Sequence, residues 1–166
     1  AVYGPGKLWL AGLANIVGPV GIAVAPNGQM KLTYVRNCAD AIVLSAEVDA
    51  AIGQTFNIVD DDLPTQREYL AAMKRHGFDV PTVNIPVPYV ALSAAATALD
   101  LVNQRWFSGK AKLPQLAVPA KLAASFRPHS YSNERAHRVL GWTPARTLDQ
   151  ALTEIKRAET DSPVGR

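Results

Sequence analysis

The sequence predicts a mixed α/β fold in which helices predominate. Two observations carry this reading. Short β-branched or apolar runs at 20–25, 30–35 and 55–59 are bounded by glycine, asparagine or aspartate, as strands are. Longer stretches place apolar residues at helical spacing and open on capping-box sequences. The 166 residues are 48% hydrophobic and 19% charged with a formal charge of +3, which suits one compact unit with its own core rather than a disordered segment. The single Cys38 excludes an intramolecular disulfide framework and fits a reducing compartment, so a cytoplasmic location is expected.

Taken in order, the run 8–25 is the one membrane-like stretch, and Pro19 between Gly18 and Gly21 would break a spanning helix near its middle. No membrane span is expected, and no basic region precedes the run as in a signal peptide. Asn27-Gly28 between 20–25 and 30–35 predicts a β-hairpin. A helix follows over 38–50, with Ala39, Ile42, Val43, Ala46 and Ala50 as its apolar stripe and Gly53 just past its end. The β-branched run 55–59 predicts a buried strand.

Thr65-Gln66-Arg67-Glu68 is a capping box opening a helix to about His76, stopped by Gly77, where a histidine suits the negative end of the helix. The Ala/Leu-rich stretch 89–106 is the longest predicted helix, and its few polar residues imply cover on most sides. Ser132 caps a short helix over 133–140 ended by Gly141. Thr147-Leu148-Asp149-Gln150 is a second capping box for a final helix to about 158, and the last residues, from about 161 to 166, are expected to fray.

Charge is unevenly placed. Between Arg105 and Arg146 stand eight basic residues against one acid, Glu134, a local balance of +7. This is either a solvated face or a patch that meets a phosphorylated ligand or an acidic partner. The basic residues are too dispersed for a nucleic-acid block, so nucleic acid is not an expected partner.

Motifs that carry chemistry are mostly absent from the sequence. Gly4 and Gly6 lack the third glycine of a dinucleotide loop, and no Gly-x-x-x-x-Gly-Lys-Ser/Thr run exists. Tyr3 and Lys7 have the spacing of a tyrosine base with its lysine, but Gly4-Pro5-Gly6 between them cannot lie inside a helix. Tyr131 and Arg135 share that spacing, yet arginine releases no proton at working pH, so the pair can only orient or stabilise. His76, His129 and His137 have no metal-ligand spacing, and no Gly-x-Ser-x-Gly elbow is present. Asp60, Asp61 and Asp62 read as a solvated turn, with contact to a metal or hydroxyl as the alternative.

Three stretches together resemble a known family. Ala1-Val2-Tyr3-Gly4-Pro5-Gly6, Tyr34-Val35-Arg36-Asn37-Cys38-Ala39-Asp40-Ala41, and Tyr131-Ser132-Asn133-Glu134-Arg135-Ala136 with Leu140-Gly141-Trp142-Thr143-Pro144 are similar, in order and spacing, to the C-terminal half of extended short-chain dehydrogenases/reductases, the NAD-dependent epimerase/dehydratase group. Asn37 stands where an aspartate is usual and Arg135 where a lysine is common. The likeness runs to about Ile155, and the 89–107 helix with Tyr131-Ser132 looks most like the 3β-hydroxysteroid and sterol-carboxylate dehydrogenase branch.

The resemblance implies the C-terminal part of a Rossmann-type fold, the substrate-binding lobe plus the last sheet strand, over residues 1–160. In the family the Gly-rich loop and the Tyr-x-x-x-Lys pair lie in the N-terminal half. The resemblance implies Tyr3, Arg36, Asn37, Arg127 and Tyr131 as substrate-binding residues, with an ordinary surface or packing role as the alternative for each, and no catalytic, cofactor or metal-binding residue is assigned. NAD or NADP is the parent family's cofactor, and this chain alone is expected to bind neither and to be inactive. The implied partners are an alcohol, ketone or nucleotide-sugar substrate and the N-terminal nucleotide-binding half, with self-association when that half is absent. The alternative is a non-catalytic binding or interaction module derived from the same lobe.

Overall fold

The computed structural model describes all residues except 11, 12, 14, 18, 19, 25, 108–111, 115, 116, 127–130 and 162–166. It is a mixed α/β structure in which helices predominate. In chain order the elements are β1 (Val2–Tyr3), β2 (Asn15–Val17), β3 (Val20–Val24), β4 (Thr33–Tyr34), α1 (Val35–Glu47), a 3₁₀ turn (Asp49–Ala51), α2 (Gln66–Arg75), β5 (Val83–Val87), α3 (Tyr89–Phe107), α4 (Pro119–Phe126), α5 (Glu134–Leu140) and α6 (Leu148–Asp161). Where the sequence suggests one compact unit, the residues group into two. The first comprises Ala1–Leu10, Gln29–Val80 and Ser130–Arg166, and the second Ala11–Gly28 and Pro81–His129.

In the first unit β1 and β4 form a parallel pair, with Val2 opposite Thr33 and Tyr3 opposite Tyr34. The chain passes from β4 directly into α1. This helix starts three residues earlier than its apolar spacing suggests, and it buries the opposite stripe. Asn37 and Ala41 are buried and Leu44 and Val48 are partly so, whereas Ile42 is 64% exposed and Val43 54%. The reason is polar: the Asn37 amide has partners only on the inner side, and that fixes the rotation of the whole helix.

The expected strand at 55–59 is extended but belongs to no sheet. Phe56 and Ile58 pack against the core formed by Ala41, Ala51, Ala136, Leu140 and Trp142. Side chains take the place of a neighbouring strand: Arg135 donates to the Thr55 carbonyl and Asn133 to that of Val59.

The helix ends follow their local sequence signals. Thr65 Oγ1 accepts from the Glu68 N–H at 3.2 Å while Glu68 accepts from the Thr65 N–H at 2.7 Å, the two halves of a capping box. Thr147 and Gln150 repeat the arrangement at α6. At the start of α5 the Ser132 hydroxyl accepts from the Glu134 N–H, although Asn133 occupies the cap position itself. Gly141 closes α5 with φ +63°, a left-handed residue whose N–H bonds the His137 carbonyl. His76 meets Asp149 at 2.9 Å across the α2–α6 contact.

In the second unit β3 pairs antiparallel with β2 and parallel with β5, from Val20 opposite Val83 to Val24 opposite Val87. The expected hairpin is therefore corrected. A turn does occur at Asn27-Gly28, but the runs on either side of it join different sheets, because β4 takes β1 as its partner and β3 takes β2 and β5. Helix α3 packs on α4, yet Val90, Leu99, Leu101, Val102 and Trp106 are exposed, Trp106 by 80%. The expectation that this helix is covered on most sides is overturned for the described residues. Among those residues no helix is long and apolar enough to cross a membrane.

Candidate functional site

The polar core of the first unit begins with Asp60, which follows the extended segment and is buried. Its carboxylate accepts from Thr33 Oγ1 at 2.8 Å, the Tyr34 N–H at 2.9 Å and Asn37 Nδ2 at 3.0 Å. Burial pushes its pKa up in spite of these three donors. The solvated-turn reading fails for Asp60, whereas Asp61 and Asp62 are exposed as a turn would leave them. Asp61 is also engaged, accepting from Asn133 Nδ2 at 2.7 Å and facing His137 Nε2 at 3.0 Å.

Asn37 carries the network onward. Its second amide proton goes to the Arg146 carbonyl at 2.9 Å, and its Oδ1 accepts from the Arg146 N–H at 3.0 Å. Its own carbonyl accepts from Trp142 Nε1 at 3.0 Å, which places the fully buried Trp142. An aspartate at 37 would set a second carboxylate against Asp60, whereas the amide donates to it. Asparagine is therefore the residue type this geometry demands.

Arg146 Nε then bonds Glu154 at 2.8 Å, and Glu154 also takes the Tyr34 hydroxyl at 3.1 Å and Arg36 at 3.4 Å. The Arg146 hydrogen bond holds the Glu154 carboxyl below its usual range. Tyr34 is pushed up, by burial first and then by Glu154.

Tyr3 lies 2% exposed, its ring 5.6 Å from that of Tyr34 and edge-on to Tyr69 at 6.0 Å. Burial, and after it the Asp60 charge, push the Tyr3 phenol far up, so it stays protonated at working pH. Tyr69 uses its hydroxyl on the Leu8 carbonyl. No described residue hydrogen-bonds the Tyr3 hydroxyl. Tyr3 borders a cavity of about 110 Å³ together with Leu32, Asp60, Asp61, Arg146 and Thr147. Such a site can orient a small polar group by donation from a neutral phenol and acceptance by a carboxylate.

Of the five residues singled out in the sequence, the structure brings Tyr3, Arg36 and Asn37 to this network. Tyr3 borders the cavity. Arg36 is mostly exposed and paired to Glu154, and Asn37 has both amide protons committed within the protein. Tyr131 is 48% exposed, ahead of α5 rather than on its face, and Arg127 lies outside the described residues. The sequence reading missed Arg146 and Glu154 and gave Asp60 a polar contact only as the alternative to a solvated turn. The one signal for Asp60 was its place directly after an apolar run.

No family model and no curated protein matches the chain. Among solved structures it is similar to the crystal structure of gox2253, at 17% identity over 87% of this chain and 40% of that one, with a TM-score of 0.63. It is also similar to a functionally unknown conserved protein from Silicibacter pomeroyi DSS, at 19% identity over 97% of this chain and 46% of that one, with a TM-score of 0.55. The chain thus spans less than half the length of these structures. The likeness shows a shared mixed α/β fold.

Proposed function

We propose that the chain is the substrate-binding portion of an NAD(P)-dependent oxidoreductase or epimerase of the extended short-chain dehydrogenase/reductase type. The observation that supports this reading is convergence. The three stretches that resemble the family lie more than 100 residues apart in places, yet Tyr3 packs on Tyr34, Asn37 bonds both Arg146 and Trp142, and Asn133 holds Val59 and Asp61. The Trp142 bond to Asn37 is buried and those of Asn37 with Arg146 and of Asn133 with Val59 are partly so, which ties the stretches into one folded unit.

This chain's residues do not form a dinucleotide cradle, because the sequence lacks the glycine-rich loop. Its role in the reaction is to hold substrate: the protonated Tyr3 phenol donates to a substrate oxygen, and Asp60 fixes the strand ends that place it. Asn37 acts as a positioning residue. The exposed apolar residues of α3 suit a sterol-like alcohol or ketone, whereas the basic stretch 105–146 suits a nucleotide sugar.

The coding sequence upstream of Ala1 tests the reading. A frame that encodes a glycine-rich strand-loop-helix and a Tyr-x-x-x-Lys pair supports it. A native start close to Ala1, with a folded chain that binds no nicotinamide nucleotide, rejects it in favour of a non-catalytic binding module.

A further inference from the structure

A second concavity in the first unit shares no lining residue with the cavity beside Tyr3. It is an open groove of about 430 Å³ bordered by Thr55, Asn57, Ser132, Glu134, Arg135 and Arg138. Its walls follow from local structure. Alternation along the extended segment turns Phe56 and Ile58 inward, so Thr55 and Asn57 face out. On α5, Arg135 and Arg138 stand three residues apart, on one side of the helix.

The charges in this groove are unbalanced. Arg36, Arg75 and Arg146 each pair with a carboxylate. Among the described residues Arg138 makes no ion pair or hydrogen bond, and the one bond of Arg135 is a long one, 3.4 Å to the Thr55 carbonyl. Two guanidinium groups at this spacing repel each other, and Glu134 is the single acid on the lining. Neutral donors complete the wall. The Ser132 oxygen accepts from the Glu134 N–H, which leaves its hydroxyl proton free to donate, and Asn57, with its side-chain amide, is on the same lining.

We infer that this groove binds a phosphorylated small molecule, with the phosphate between Arg135 and Arg138. Paired guanidinium groups match the several oxygens of a phosphate dianion better than a single carboxylate. The volume falls in the range of roughly 300–1,000 Å³ usual for small-molecule sites, more than a bare phosphate fills. Hydroxyl and amide donors beside the arginines suit the phosphate's remaining oxygens.

The test is titration of inorganic pyrophosphate into the full chain at low ionic strength, read by thermal melting and by ³¹P line broadening. The expected result is a rise in Tm of about 3–5 °C at about 10 mM pyrophosphate beyond that in potassium chloride of matched ionic strength. The response should be at least about fivefold weaker in Arg138→Gln and weaker still in R135Q/R138Q, since each guanidinium group supplies charge-assisted hydrogen bonds to the phosphate. It should be unchanged in K112Q/K121Q, which removes equal charge elsewhere. Arg138→Gln breaks no bond to a described residue, so it keeps the test decisive should the double variant fold poorly. Equal responses to pyrophosphate and matched chloride, or an equally weakened response in K112Q/K121Q, overturn the inference in favour of diffuse surface charge. Binding of an acidic peptide without any pyrophosphate response overturns it in favour of protein docking. The readout needs no catalysis, so it stands or fails separately from the oxidoreductase reading.

Discussion

Asp60 is the residue on which the first unit turns, and its removal gives a prediction with a magnitude. Asp60→Ala deprives three buried donors of their acceptor: Thr33 Oγ1, the Tyr34 N–H and one Asn37 amide proton. The Thr33 hydroxyl can rotate toward another acceptor, but the other two donors are fixed. Each buried unsatisfied donor costs about 1–3 kcal/mol, and relief of the carboxylate's own desolvation offsets part of this, leaving a loss of about 2–5 kcal/mol. Asp60→Asn keeps one acceptor oxygen and turns an amide nitrogen toward a donor, for a smaller loss of about 1–3 kcal/mol. Urea unfolding followed by far-ultraviolet circular dichroism and by tryptophan fluorescence, to which the buried Trp142 contributes beside the exposed Trp9 and Trp106, measures both. With a slope of about 2 kcal/mol/M, Asp60→Ala lowers the midpoint by about 1–2.5 M. A variant within about 0.5 kcal/mol of the parent would refute the view that Asp60 organises this core.

Further outcomes follow from the same core and its surroundings. A Cβ at position 4 would lie 2.7 Å from Val35 Cγ1, so Gly4→Ala should destabilise by about 1–3 kcal/mol, with G4A/V35A recovering much of the loss; equal destabilisation in the single and double variants would remove the steric explanation. The Asp149 carboxyl is held low by its hydrogen bond from His76 and by Arg75, so its contribution is present above the usual carboxylate range and is lost as pH falls through the lowered folded value. Because Asp149 is well exposed, Asp149→Asn should cost only about 0.3–1 kcal/mol near neutrality and nothing near pH 2, as melting across that range would show. Asp60 has the opposite sign, since a raised folded value gives a contribution that is lost as pH rises through it; the Asp60→Asn deficit should therefore be greatest at acid pH. Finally, the exposed Ile42, Val43, Leu101 and Trp106 predict self-association of the isolated chain in sedimentation velocity, reduced by Ile42→Glu or Trp106→Glu; a monodisperse monomer would contradict this.

What was legible in the sequence was what depends on neighbours along the chain. Thr65 with Glu68, Thr147 with Gln150, and Gly141 after Leu140 mark their helix ends because a cap is closed within four residues. Choices of distant partner were not legible. Asn27-Gly28 gives a turn, but nothing local says that Thr33–Tyr34 will pair with Val2–Tyr3 instead of Val20–Val24. The apolar stripe of α1 pointed the wrong way because one buried amide, Asn37, outweighed Ile42 and Val43. Asp60 looked like a turn acid for the same reason: its donors come from 23 to 27 residues upstream. Tyr3 reached the candidate site through a likeness in sequence, whereas Arg146 and Glu154 emerged only from the geometry.

The most direct measurement is titration of NADH and NADPH, followed by nucleotide fluorescence, into this chain alone and into the polypeptide encoded together with the sequence upstream of Ala1. The predicted result is saturable binding by the longer polypeptide and none by this chain alone. Saturable binding by this chain alone, or its absence from both, would contradict the assignment of these residues to the substrate side of a nicotinamide-dependent enzyme.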